Sequence, residues 1–283
     1  MDLETVTLTG AEETALATLY GKGMESREPD SILADREAYQ AMQRLDYDFS
    51  KLRLRRRDIK SAAVRAKGYD WWVERFLATC PECTVLHLGC GLDTRVYRVN
   101  PPSTVSWYDI DLSDVIVLRR RLFPARAGLH TIAASVNDPH LLDAIAGDTP
   151  VLVVAEGLTC YLRASDGVAM LRGITEHFPS GDMVIDGYSR LGVWLTAHYR
   201  PVKATGLQLD WSIGDPHELE KAVPGLVFGS EWWFANAPEI ERHYSWLYRQ
   251  LLRILFRITA IRQLGRGLHY HFDQPGPSSG KSS

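Results

Sequence analysis

From Thr84 onward the chain alternates short apolar runs with stretches of helical periodicity, and this leaves few folds open to it. The runs are Thr84–Leu88, Val105–Ile110, Leu129–Ala134, Val151–Ala155, Met183–Gly187, Leu226–Phe234 and Gly267–Phe272. Helical patterns over Asp114–Leu122, Pro139–Ile145 and Ser165–His177 lie between them. A run apolar at every position, such as Val151-Leu152-Val153-Val154-Ala155, fits a strand buried on both faces. Strands joined through helices pair in parallel, because a parallel connection needs a long crossover. The pattern predicts an α/β fold with a seven-stranded, mostly parallel sheet and helices on both faces.

The first eighty residues read differently. Ala11 to Met24, residues 31–44 and Ser61 to Thr79 place apolar side chains at helical spacing, so residues 1–80 are expected to form a helical cap on a core of residues 81–274. Residues 188–220 break the alternation and are rich in Trp, Tyr and His, which fits a lid inserted between late strands. Within it, Asp215-Pro216-His217-Glu218 reads as a helix start with Asp215 as N-cap. Residues 275–283 offer nothing to bury and are expected to be a disordered tail.

Charge and length exclude some partners. A net charge of -3 gives no reason to expect nucleic acid. The basic run Lys51 to Arg57 is short, is followed by Asp58, and reads as a solvated face or loop. No run approaches the roughly 20 apolar residues that span a bilayer, and Met1-Asp2-Leu3-Glu4 lacks the basic start of a secretory signal. A cytoplasmic protein with no membrane partner is expected. Cys80-Pro81-Glu82-Cys83 has a metal-ligand spacing, but no second pair follows at a suitable distance, so plain thiols and no metal are expected.

The most informative stretch is Val85-Leu86-His87-Leu88-Gly89-Cys90-Gly91-Leu92-Asp93-Thr94-Arg95. A buried strand runs into two glycines, where the absence of Cβ permits a tight turn and close approach of a ligand. The dinucleotide fingerprint would place a third glycine where Thr94 stands, which disfavours a nicotinamide dehydrogenase. The next strand ends at Asp111, about twenty residues later, where an acid commonly holds ribose hydroxyls. Asp109 lies on the same side but deeper, and the alternative role for Asp111 is to cap the following helix. Val151–Ala155 then runs directly into Glu156-Gly157. A carboxylate at the mouth of a central strand is costly unless paired, and an ammonium group would pair it.

Gly89-Cys90-Gly91-Leu92-Asp93-Thr94-Arg95, Asp109-Ile110-Asp111-Leu112 and Ala155-Glu156-Gly157-Leu158-Thr159-Cys160-Tyr161-Leu162 together resemble the leucine carboxyl methyltransferase family. Pro29 to Asp35 and Leu45 to Ser50 resemble its bacterial branch of polyketide O-methyltransferases, the tetracenomycin type. The resemblance implies a Rossmann-like class I methyltransferase with S-adenosylmethionine as cofactor and S-adenosylhomocysteine as product. It implies that Gly89 and Gly91 line the cofactor, Asp111 holds its ribose, Glu156 meets its amino group and Arg65 its carboxylate. Asp93 and Arg95 would shape the loop, and Tyr161 would lie toward the acceptor. One departure stands out. Where the family has Asp-Leu-Arg after the third strand of the sheet, this chain has Ser135-Val136-Asn137, so Ser135 and Val136 are expected at the adenine end without the usual charge.

Methyl transfer to oxygen requires an aligned nucleophile and exclusion of water. A carboxylate acceptor needs no base, whereas a phenol with a pKa near 10 benefits from one. Tyr161, His198 and His217 are the candidate catalytic residues, with His243 more remote, and Arg190 or Arg200 could hold an acceptor carboxylate. Tyr188, Trp194, Tyr199 and Trp211 suit a flat, polyketide-like small molecule, though each could equally be core. The rival readings are methylation of a protein C-terminal carboxylate and a non-catalytic nucleoside-binding module. Oligomeric state is left open.

Overall fold

The structure, a computed structural model, describes residues 3–274 apart from 7, 200, 201, 204, 205, 207, 234 and 235. A short parallel pair, β1 (Glu4–Thr5) and β2 (Leu45–Asp46), stands apart from the main sheet. The main sheet holds β3 (Thr84–Leu88), β4 (Ser106–Asp111), β5 (Leu129–Ala133), β6 (Val151–Ala155), β7 (Ser180–Gly187), β8 (Leu226–Trp232) and β9 (Arg266–Asp273), in the order β5-β4-β3-β6-β7-β9-β8. The pairings from β5 across to β7 are parallel, and β9 runs antiparallel to both of its neighbours. The direction of strand addition reverses between β3 and β6, which makes that crevice the topological switch point where open α/β sheets bind ligands.

Each of the seven apolar runs overlaps a strand, with Val105, Ala134 and Trp233 falling just outside β4, β5 and β8. β7 starts three residues before Met183 because Gly181 allows the strand to lie against β6, where a Cβ would stand 2.2 Å from the Val151 carbonyl oxygen. Phe234, placed at the end of β8 from the sequence, lies outside the described residues, as do residues 275–283.

The helices are α1 (Glu13–Glu25), α2 (Arg36–Gln43), α3 (Arg56–Thr79), α4 (Arg95–Val99), α5 (Ser113–Leu122), α6 (Ala164–His177) and α7 (Arg190–Ala197). After them come α8 (His217–Ala222), α9 (Pro238–His243), α10 (Trp246–Leu255) and α11 (Thr259–Arg262). Side chains of β3 and β6 alternate between two packed layers. Leu86, Leu88, Val151 and Val153 face Leu171, Ile174 and Phe178 of α6 and its C-cap, while Val85, Leu152 and Val154 face Tyr69 and Val73 of α3. A third cluster joins Leu16 and Leu19 of α1 to Leu92 and to Val115 and Leu118 of α5. The N-terminal helices are thereby packed onto the loop after β3. Among the described residues, no helix is long and apolar enough to cross a membrane.

Three local expectations need correction. Pro139–Ile145 forms successive four-residue turns in place of a helix, with Leu141 N–H donating to the Asp138 carbonyl and Ile145 N–H to that of Leu142. Its apolar spacing reflects Leu141 and Ile145 reaching into the core from turns. The helix expected from Ser61 begins at Arg56, within the basic run, because the Asp58 carboxylate accepts the Arg55 N–H at 2.9 Å and satisfies a free donor at the helix start. The arginines of that first turn remain exposed. Asp215 accepts the His217 N–H at 3.0 Å, but α8 starts one residue later than expected, with Pro216 and not Asp215 at its N-cap.

Two glycines of α6 should respond oppositely to alanine. A Cβ on Gly167 would stand 1.9 Å from the buried Trp211 ring, whereas one on Gly173 would meet nothing within 4 Å. Gly167→Ala is expected to cost about 1–3 kcal/mol through overpacking. Gly173→Ala is expected to stabilise by up to about 1 kcal/mol, and urea unfolding of both variants reads the difference.

Candidate active site

Register brings the predicted groups together. Leu88 at the end of β3 stands opposite Ile110 of β4 and Ala155 of β6, so Gly89, Asp111 and Glu156 emerge level with one another at the carboxyl edge of the sheet. Gly89 and Gly91 both have left-handed backbones, at φ +59° and +51°. A Cβ at Gly89 would press to 2.9 Å from Leu158, and one at Gly91 to 3.2 Å from the Ala15 methyl of α1. The loop can therefore lie between α1 and the turn after Glu156 only as glycine.

A cavity of about 560 Å³ opens over this edge. Arg65, Gly89, Gly91, Asp111, Ser135, Val136, Glu156 and Tyr161 all line it. The Asp111 carboxylate accepts N–H groups from Gly91 and from Leu112, each at 2.7 Å, so it braces the glycine loop and borders the cavity, while α5 starts from Leu112 without a side-chain cap. Burial pushes its pKa up, against the two N–H bonds that favour the ionised form. Asp109 lies beneath. It takes His87 at 3.0 Å, the Trp107 indole N–H at 2.9 Å and the Arg119 guanidinium, and these partners fill it.

Glu156 is the hinge of a buried ion network. Its carboxylate receives Arg65 Nε at 2.8 Å and a terminal nitrogen of Arg95. Arg95, with no exposed surface, also binds Asp70 at 2.8 Å and Asp93 at 3.2 Å. Lys22 of α1 reaches Asp93 at 2.9 Å, and Arg98 joins Asp93, Asp70 and Asp35. The Thr94 hydroxyl, at the place of a third glycine, donates to Asp35 at 2.6 Å. Burial opposes ionisation of Glu156, yet the charges of Lys22, Arg65 and Arg95 hold its pKa down at about 2. The same balance holds Asp93 well below the usual carboxylate range.

The remaining residues divide clearly. Ser135 is exposed, its hydroxyl accepting the Asn137 N–H at 3.2 Å, while Val136 is buried. Tyr188 and Tyr199 line the cavity beside Tyr161, but Trp194 points outward and Trp211 packs in the core over Gly167. His198 and His217 do not line the cavity. The His198 ring lies by Trp194 and bonds its carbonyl at 2.7 Å, because it sits on the outer side of the end of α7. His217 pairs with Glu220 one turn along α8. Arg190 is exposed and His243 pairs with Asp30 at 3.2 Å; Arg200 lies outside the described residues. Sequence reasoning missed Lys22, which lines the cavity, and Asp70 and Arg98 beneath it. The available signal was a charged residue on an otherwise buried helical face.

The network makes a pH-dependent contribution. Glu156 has a depressed pKa when folded, so its ionisation stabilises the fold above its unfolded pKa, near 4.3. That stabilisation is lost as pH falls toward about 2. Glu156→Gln is expected to cost about 3–5 kcal/mol at pH 7 by leaving buried cations unpaired. The gap between the two proteins in urea unfolding should narrow from pH 5 to about 3.

Comparison with known proteins agrees with the geometry. The family described as leucine carboxyl methyltransferase matches residues 16–175. The tetracenomycin polyketide synthesis O-methyltransferase TcmP of Streptomyces glaucescens is 43% identical over 235 residues, spanning 83% of this chain and 87% of its own. The S-adenosyl-L-methionine-dependent methyltransferase dpfgK of Gibberella zeae is 33% identical, spanning 96% and 98% of the two chains. Among solved structures, a candidate methyltransferase from Thermobifida fusca superposes with a TM-score of 0.60 at 17% identity, covering 94% of this chain and 96% of its own, which is a likeness of fold. The glycine loop, the level carboxylates and these matches lead to one assignment: the chain belongs to the leucine carboxyl methyltransferase family.

Proposed function

We propose that this chain transfers the methyl group of S-adenosylmethionine to an oxygen of a small, polyketide-like acceptor, with a carboxylate as the favoured nucleophile. The observation that carries the cofactor is the donor set at the sheet edge. The Asp111 carboxylate stands at one side of the glycine loop and the Glu156–Arg65 pair at the other, around a cavity large enough for a nucleoside. Asp111 suits a ribose diol, and an adjacent anion and cation suit the zwitterionic end of an amino acid. Gly89 and Gly91 let the backbone approach, while Ser135 and Val136 border the adenine end without the family's carboxylate.

When bound, the cofactor supplies an electrophilic methyl on a sulfonium. The chain's own residues then position the acceptor and exclude water. Tyr161, Tyr188 and Tyr199 wall the cavity together with Asp58 and Thr196. Burial pushes Tyr161 and Tyr199 up to about 12, and Tyr188 well above the ordinary tyrosine range. These phenols stay protonated and act as donors and flat apolar walls. The imidazole lining the cavity, His87, is fixed between Asp109 and Arg95. With the cavity's imidazole so committed, an acceptor that arrives ionised needs the least from the protein, whereas a phenol would have to draw on Glu12 or Asp58 at the cavity wall. The name of TcmP and the aromatic walls support a polyketide-like acceptor. In this reading Tyr188, Thr196 and Tyr199 on the cavity wall serve as the lid, whereas Trp211, Ile213 and Leu219 of the expected 188–220 segment pack in the core.

Calorimetry with S-adenosylmethionine, S-adenosylhomocysteine and NAD tests the cofactor. The two adenosyl ligands should bind, NAD should not, and Glu156→Gln should weaken binding by about tenfold or more. Binding of NAD alone would overturn the reading. With a panel of aromatic acids and phenols as acceptors, Tyr161→Phe should lower kcat/KM by less than about tenfold. A loss of a hundredfold would instead make Tyr161 a proton-transfer group.

A further inference from the structure

A helix too short to span a bilayer can still lie along its surface. α10 turns Leu252 inward, yet Trp246, Leu247, Leu251 and Ile254 are exposed, Leu247 by 72% and Trp246 by 66%. Leu247, Leu251 and Ile254 follow one another at four and three residues, so they form a single stripe on the outer face. Water is a poor solvent for such a stripe, and a patch of this kind marks an interaction surface.

The charge around it is one-sided. From Ser245 to Gly265, the segment that carries α10 and α11, the chain contains four arginines and neither aspartate nor glutamate, although Glu239 and Glu241 lie just before it and acidic residues outnumber basic ones over the whole chain, 35 to 32. Arg253 and Arg257 are exposed beside the stripe. The neighbouring α7 repeats the pattern. Leu191, Trp194 and Leu195 are exposed, and no acid occurs between Gly187 and Leu209. α7 meets the end of the α10–α11 segment directly, with Ser189 N–H donating to the Gln263 carbonyl at 2.8 Å and Gly192 lying against the Leu264 backbone.

We propose that the outer face of α10, with α7 beside it, docks on an anionic lipid surface. Exposed Trp, Leu and Ile enter the boundary between headgroups and acyl chains, and the arginines bind lipid phosphates. Two copies of the chain joined through this same face would bring arginine against arginine about a two-fold axis, which disfavours self-association. Because Thr196 of α7 lines the cavity, the docked face and the acceptor side share one helix. The docking does not depend on the identity of the acceptor.

Co-sedimentation of the full chain with phosphatidylcholine vesicles, with and without 30 mol% phosphatidylglycerol, tests this. Binding should require the anionic lipid and weaken as salt rises. A triple variant, Leu247→Ser with Leu251→Ser and Ile254→Ser, should abolish it. The double variant Arg253→Gln with Arg257→Gln should weaken it by about tenfold or more. Both variants change exposed side chains, and unchanged affinity for S-adenosylhomocysteine checks that they fold. Failure to bind anionic vesicles, or equal binding to neutral ones, overturns the proposal. So does light scattering that finds a dimer converted to a monomer by the triple variant, which would make the stripe a self-association face.

Discussion

Arg95 is the interaction on which the rest of the site depends. A guanidinium with no exposed surface is tolerable only if its charge is matched nearby, and Asp70, Asp93 and Glu156 match it from α3, the glycine loop and the end of β6. The wider network balances five cations (Lys22, Arg65, Arg95, Arg98 and Arg119) against five carboxylates (Asp35, Asp70, Asp93, Asp109 and Glu156). Removing one member strands its partner in a low dielectric, so the elements that carry them must keep their positions together. The N-terminal helices are bound to the sheet through charge as well as through the Leu16 and Leu19 cluster.

That arrangement has a price at the cavity. Glu156 and Arg65 satisfy each other at 2.8 Å, so a zwitterionic ligand must compete with an ion pair already made. Arg65 keeps 38% of its side chain exposed while Glu156 keeps 4%. Arg65 is therefore the partner able to swing aside. Arg95 would continue to hold the carboxylate from below.

Much of this was legible in the sequence, for identifiable reasons. Thr84–Leu88 and Val151–Ala155 match β3 and β6 residue for residue, because strands buried on both faces leave an unbroken apolar run. The loop and carboxylate motifs named Gly89, Gly91, Asp111 and Glu156 because position at a strand's carboxyl end is a local property. The ion network was not legible. Lys22, Asp70 and Arg98 acquire partners far away in sequence, and a charge on a helix normally reads as solvated. His198 and His217 illustrate the opposite error. Their chemistry invited a catalytic role, but Trp194 and Glu220 one turn away engage them locally. The turns over residues 139–145 imitate a helix because two buried apolar side chains four residues apart satisfy the same period.

The position of β9 bears on how the molecule can be assembled. β8 touches the sheet only through β9, which lies between it and β7. The chain passes 33 residues after β8, from Trp233 to Gly265, before the strand that anchors it is made. During synthesis the five strands from β5 to β7 can therefore pair as they appear, while β8 waits without a neighbour and its edge stays open. The segment between β8 and β9 packs Ala237, Ile240 and Leu252 on Val64 of α3 and adds no strand to the parallel half, and an interruption just before Arg266 would release two strands where only one had been lost.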